Sequence, residues 1–321
     1  MRALVTGCAG FIGSHLAQSL LERGVDVVGI DCLTSNYNPS LKLSNLEPLN
    51  SWRAFEFVER DLSAADVRAQ VADCDVVFHL AAEAGVRTSW GDSFDSYTRN
   101  NILATQRLLE AVKERPNRRF VYASSSSIYG ETEVRPTPES TGPCPVSPYG
   151  VTKLAGEHLC RLYRTNYGVE TVSLRYFSVF GPRQRPDMAL NRFCGAALKN
   201  EPLTVYGDGT QTRDFTFVSD VVDATAAAAF ASVESAQIYN IGGGTDVSLN
   251  RVIELIGELT GRQPEVRRLA PTRGDVKSTG ADTSRARAEL GYEPAVTFED
   301  GLRAQFAWMR ENLHLMTTAS G

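Results

Sequence analysis

Paired cysteines, metal-ligand clusters and long apolar runs are all missing from this chain. Its six cysteines, Cys8, Cys32, Cys74, Cys144, Cys160 and Cys194, include no C-x-x-C spacing and no dense framework. Reduced thiols of an intracellular protein are therefore expected. The four histidines lack the spacing of a ligand set, which removes the case for a metal site. No apolar run approaches ~18 residues and the chain opens directly on a strand-like segment, so neither a membrane span nor a signal peptide is expected. The formal charge of -5 offers no basic surface for nucleic acid. Internal repeats and low-complexity tracts are absent as well. These exclusions leave a cytoplasmic protein without nucleic-acid or membrane partners.

What is present suits a sizeable α/β protein. The 321 residues are 42% hydrophobic and 22% charged, enough for one large core and a smaller lobe. The apolar run Ala3-Leu4-Val5 is followed by Thr6-Gly7-Cys8-Ala9-Gly10-Phe11-Ile12-Gly13 and then by a helical pattern through Leu16, Leu20 and Leu21. Strand, glycine turn and helix follow one another, the arrangement that binds a dinucleotide. Gly7 permits the tight turn, Gly10 lets a pyrophosphate approach the backbone, and Gly13 lets the helix pack closely on the strand. A second strand, Val27-Val28-Gly29-Ile30, ends on Asp31, 18 residues after Gly13. A carboxylate there accepts from the ribose hydroxyls and repels a 2′-phosphate, so NAD is favoured over NADP.

Further strand-like runs at 55–58, 76–80, 120–123 and 171–175 predict a Rossmann-type, doubly wound parallel sheet with helices on both faces. Ligands gather at the carboxyl ends of such strands. That places Asp61 and Leu62, Ala81, Ala82 and Glu83, Ser124 to Ser127, and Tyr176 to Ser178 around one crevice. Beyond Arg175, Gly-Pro-Arg-Gln-Arg-Pro-Asp at 181–187 and Tyr206-Gly207-Asp208-Gly209-Thr210 mark turns and loops. The predicted division is an NAD-binding domain over 1–175, rejoined by 215–245. A smaller mixed α/β lobe for the substrate is predicted over 176–214 and 246–321, with helices at 252–259 and 298–312.

Tyr149 and Lys153 stand four residues apart, one helical turn on one face. Alone, such a pair is satisfied by a packed ring beside a solvated amine. Beside a bound dinucleotide it can run acid/base chemistry, because a nearby cation favours a phenolate that is otherwise rare at pH 7.

Thr6-Gly-x-x-Gly-x-x-Gly13, His79-Leu-Ala-Ala82, Ser124-Ser125-Ser126, Tyr149-x-x-x-Lys153, Arg175-Tyr176-Phe177 and Tyr239-Asn240-Ile241-Gly242-Gly243 together resemble the extended short-chain dehydrogenase/reductase family. Within it the chain looks like the NAD-dependent sugar-nucleotide epimerase/dehydratase branch, and the likeness covers essentially the whole sequence. The resemblance implies Tyr149 as catalytic base and acid, Lys153 as the residue that lowers its pKa and holds the nicotinamide ribose, and Ser125 as partner of the reacting sugar hydroxyl. It implies cofactor contacts from Gly7, Gly10, Phe11, Ile12, Gly13, Asp31, Asp61, Leu62, Leu80, Ala81, Ala82, Asn101 and Tyr176, with Ala104 standing where a glycine is more usual. For the sugar nucleotide it implies Arg87, Ser126, Ser127, Ser178, Arg192, Arg213, Arg273 and Asp275. It also implies a homodimer paired through helices near 101–115 and 149–166.

The implied reaction begins when Tyr149 takes the proton of a sugar 4-hydroxyl and the C4 hydride passes to NAD. Branch members then part. Dehydratases carry Asp-Glu directly after the catalytic Thr, and the decarboxylating UDP-xylose synthases a Glu two places after it. Here those places are Ser126 and Ser127, which favours epimerisation. Ser178 followed by Val179-Phe180-Gly181-Pro182 and Arg185-Pro186-Asp187-Met188-Ala189 looks like UDP-glucuronate 4-epimerases, as do 85–90 and 36–42. The small hydroxyls could hold the uronate carboxylate. UDP-glucose 4-epimerase stays open as an alternative, with UDP-glucuronate decarboxylase and a non-catalytic NAD-binding protein behind it.

Overall fold

The computed structural model describes residues 1–116, 118–232, 237–271 and 274–315. Its centre is a seven-stranded sheet. Six of the strands are β1 (Arg2–Thr6), β2 (Asp26–Asp31), β3 (Phe55–Glu59), β4 (Val76–His79), β5 (Arg119–Ser125) and β6 (Glu170–Tyr176), and the closing strand is Ile238–Ile241. From edge to edge the order is Ile238–Ile241, β6, β5, β4, β1, β2, β3, and every neighbouring pair is parallel. The order reverses direction beside β1, where a crevice opens at the strands' carboxyl ends.

Every residue of β4 and β5 is buried, as expected for central strands covered on both faces. On one face, helix α1 (Phe11–Glu22) packs beside Val218–Ala228, and Phe11, Leu16, Leu20, Val221 and Val222 join a single core. On the other, Leu108, Leu109 and Val112 of the helix Ala104–Val112 meet Cys160 and Tyr163 of the helix Pro148–Tyr167. The latter helix is firmly bounded. The Ser147 side chain accepts from the Gly150 N–H at 3.1 Å, Pro148 opens the first turn, and Gly168 closes it in the left-handed region.

A separate core, containing Phe180, Phe193, Phe215, Leu255, Phe298 and Leu302, lies in the smaller lobe. There Ser178–Phe180 pairs with Phe215–Phe217, and Leu203–Tyr206 with Val266–Leu269, both in parallel. The helices predicted at 252–259 and 298–312 are Leu249–Thr260 and Phe298–Glu311. The chain returns from Phe215–Phe217 through Val218–Ala228 to the closing strand, where Ile241 pairs with Tyr176. Among the described residues no helix is long and apolar enough to cross a membrane, and no cluster of ligating side chains could hold a metal ion.

Candidate active site

The glycine turn is shaped for close approach. Gly7 has φ +73°, and a side chain there would meet the Ala81 nitrogen at 2.8 Å, so the segment after β4 lies directly against the turn. At Gly13 an added Cβ would stand 2.1 Å from the Gly7 carbonyl oxygen, which leaves room for glycine alone. No side chain caps the start of α1, so the N–H groups of Phe11 and Ile12 remain to face an anion. Asp31 completes the cradle at the end of β2. Its oxygens accept from Ala9 N at 3.2 Å and Leu33 N at 2.9 Å, which fixes the carboxylate beside the turn. Asp61 accepts from the backbone and hydroxyl of Ser63 at 2.8 and 2.7 Å, and Leu62 is buried next to it. A dinucleotide fits this arrangement.

Ser125 ends β5, and Tyr149 lies in the first turn of the helix Pro148–Tyr167. The Ser125 hydroxyl acts on that of Tyr149, while the Ser125 oxygen accepts from Ser127 N at 3.1 Å. The Tyr149 ring meets Tyr97 edge-on at 6.2 Å. One turn on, Lys153 is 4% exposed; its ammonium donates to the Ala123 carbonyl at 2.8 Å and lies 5.2 Å from the centre of the Tyr122 ring. Ser126 and Ser127 start a short 3-10 turn after β5, and Ser178 opens the strand that follows β6.

Electrostatics here are those of a desolvated pocket. Burial raises the Tyr149 pKa, and two contacts oppose it, the Ser125 hydrogen bond and the positive charge of Arg185. Burial lowers Lys153 to about 7; Arg185 adds to this, while Cys160 and Glu157 resist it. The Lys153 amine, one turn from Tyr149, is turned to the Ala123 carbonyl, and Arg185 is a further cation that favours the phenolate. Burial works against the Arg185 charge, but Asp187 holds it well above the usual range through bonds of 2.9 and 2.8 Å. His79, by contrast, is spent on structure. Its ring nitrogens bond the Thr6 and Thr105 hydroxyls at 2.8 and 2.9 Å, and burial lowers its pKa to about 3.

A further cluster is basic and aromatic. Arg87 lies 4.3 Å from the Tyr206 ring centre and donates to Asp275 at 2.5 Å; Arg192 lies 6.0 Å from the same ring. Arg213 stands near Arg87 and Asp275, its pKa lowered by burial against the pull of Asp275. A flat ring with arginines on it can take a base and a diphosphate.

Comparison with known proteins agrees with this architecture. The model of the NAD dependent epimerase/dehydratase family matches residues 3–242. This chain belongs to that family. An uncharacterized UDP-glucose epimerase of Bacillus subtilis is 44% identical over 96% of this chain and 98% of its own. A UDP-glucuronate 4-epimerase of Thermodesulfobacterium geofontis is 37% identical over 98% of this chain and 97% of its own. Among solved structures, UDP-glucuronic acid 4-epimerase from Bacillus cereus, in complex with UDP-glucuronic acid and NAD, is similar with a TM-score of 0.93 and 44% identity over 97% of this chain and 100% of its own.

As an NAD-dependent epimerase/dehydratase, the chain brings most of the predicted positions to one crevice, with three particulars. Asn101, in a π-helical turn, is fully engaged, since its side chain binds the Glu83 backbone at 2.7 and 2.9 Å and Thr152 Oγ1 at 2.9 Å. It clamps the segment after β4 to the catalytic helix. The Tyr176 ring joins the main core and bonds Thr225 at 2.7 Å, so the crevice side of this position is backbone. Arg273 lies outside the described residues. Two residues escaped the sequence reading. Tyr206 served there only to mark a turn, and Arg185 only to carry a resemblance. Its spacing three residues after Pro182 held no hint that it faces Tyr149.

Proposed function

We propose that this enzyme is a UDP-glucuronate 4-epimerase, interconverting UDP-glucuronate and UDP-galacturonate. When bound, NAD supplies reversible hydride acceptance at the sugar C4. The protein's own part is acid/base and positional. Tyr149, with Ser125 on its oxygen and Arg185 across from it, takes the 4-hydroxyl proton and later returns it to the 4-keto sugar. Ser125 holds the sugar oxygen between the two transfers. Ser126 and Ser127 bring no carboxylate to serve elimination.

The observation that carries the uronate reading is Arg185. Asp187 takes its Nε and one terminal nitrogen, which leaves the other for a second carboxylate beside Tyr149. Together with hydroxyls at Ser126, Ser127 and Ser178 it would restrain the sugar carboxylate. A 4-keto uronate is a β-keto acid and loses carbon dioxide when its carboxyl bond stands perpendicular to the carbonyl, so restraint there preserves the carbon.

The similarity to a UDP-glucose epimerase keeps that activity as the second reading. Incubation with UDP-glucuronate, UDP-glucose and UDP-N-acetylglucosamine, followed by chromatography, separates the two. UDP-galacturonate is the expected product; conversion of a neutral sugar alone would contradict the uronate reading. The homodimer belongs to the same proposal, supported by the exposure of Leu103, Val151 and Leu162 on and beside its two helices.

A further inference from the structure

The catalytic helix carries a third ionisable side chain on the face of Tyr149 and Lys153. Glu157 follows Lys153 by four residues, as Lys153 follows Tyr149. Its side chain is 5% exposed and meets that of Arg175 on β6, 4% exposed, in a two-pronged pair of 3.0 and 2.8 Å. The Ser124 hydroxyl donates to the same carboxylate at 2.5 Å, and Ser124 directly precedes Ser125. Arg175 goes on to the Tyr129 hydroxyl at 2.8 Å, and Tyr129 to Asn240 Oδ1 at 2.7 Å. One buried network thus ties the catalytic helix to β5, β6 and the closing strand. Apolar groups of similar size commonly stabilise a core as well as a buried ion pair does, so stability alone is a weak reason for this one.

Lys153 is faced by Tyr149, Glu157 and Cys160 on its own helix, Tyr122 on β5, His79 on β4 and Arg185 from the loop after Ser178–Phe180. Glu157 is the carboxylate acting on it. We propose that Glu157, held by Arg175, is a positioning residue of the active site: through the Ser124 hydroxyl it anchors the end of β5, whose Ala123 carbonyl holds the Lys153 amine and which bears Ser125. This rests on Tyr149 and Lys153 being the reacting pair.

The deciding experiment is the titration of Lys153 in the NAD-bound protein, followed through the 13Cε signal of labelled lysine and assigned by its loss in Lys153→Met. Glu157→Gln is expected to move the midpoint down by about half a pH unit or more, roughly a threefold loss of proton affinity, and Glu157→Asp to restore it. An unmoved midpoint in folded Glu157→Gln protein would overturn the proposal. Should an unpaired Arg175 prevent folding, the double variant Glu157→Gln/Arg175→Gln replaces it. The double variant also lacks the charged anchor on Ser124, so the same downward shift is expected and an unmoved midpoint is equally decisive. The titration needs no turnover. Failure to convert any UDP-sugar would therefore overturn the proposed function, while this result could still be read.

Discussion

Arg185 acts on Tyr149 from across the crevice, and its positive charge lowers a phenol pKa that burial raises. The phenolate is the form that accepts a proton, so burial on one side and Ser125 and Arg185 on the other bear on the pH at which Tyr149 can act. Removing the cation must raise the Tyr149 pKa further. For Arg185→Gln the acidic limb of the kcat/KM profile is expected to move to higher pH, with activity at pH 7 lower by on the order of tenfold to a hundredfold. A pH–rate profile of the variant, set against the unaltered enzyme, checks it.

Gly13 tests the cradle. Its hydrogen faces the Gly7 carbonyl across a gap that an added carbon would shorten to 2.1 Å. Gly13→Ala must push α1 off the turn, at a cost of about 1–3 kcal/mol, and displace the first-turn N–H groups from the pyrophosphate. Denaturant unfolding should show the lower stability, and NAD titration a weaker affinity.

In the proposed function Asp31 holds the adenosine ribose. Asp31→Ala is expected to weaken NAD binding by about tenfold to a hundredfold, the loss of roughly 1–3 kcal/mol of charged hydrogen bonding. It should also narrow the preference for NAD over NADP, since the repulsion of a 2′-phosphate disappears with the carboxylate. Calorimetric titration with each dinucleotide measures both effects.

Arg87 lies over Tyr206 and bridges to Asp275, where the proposed function seats the nucleotide, away from the reacting carbon. Arg87→Met should raise KM for the UDP-sugar by about tenfold and leave kcat within about twofold, the mark of binding lost equally in ground and transition states. Steady-state kinetics on the variant gives the split directly. A comparable fall in kcat would place Arg87 nearer the chemistry than its position indicates.

The parts legible in the sequence are those in which chemistry and chain neighbourhood coincide. The glycine turn, Asp31 at the end of a strand and the Tyr149/Lys153 pair each lie within one element, and local periodicity exposes them. Arg185 was opaque because its role depends on a fold-back. The loop 181–187 is tied to the small lobe by Gly181 N and the Gln184 side chain, which bind Gln305 at 2.9 and 2.7 Å, and that register carries Arg185 to Tyr149. Tyr206 became a site residue only through Arg87 and Arg192, which come from distant segments. Asn101 was read as a cofactor-side residue from the resemblance; its hydrogen bonds to Glu83 and Thr152 are with partners that no spacing rule could name.

Carbon retention separates epimerisation from its chemical neighbours most directly. UDP-glucuronate labelled with 13C at the carboxyl carbon, incubated with the NAD-bound enzyme and followed by 13C NMR, is predicted to yield a second carboxylate signal, that of UDP-galacturonate, with all of the label kept in the sugar. Appearance of labelled bicarbonate with a pentose product, or an unchanged spectrum while UDP-glucose is turned over, would contradict it.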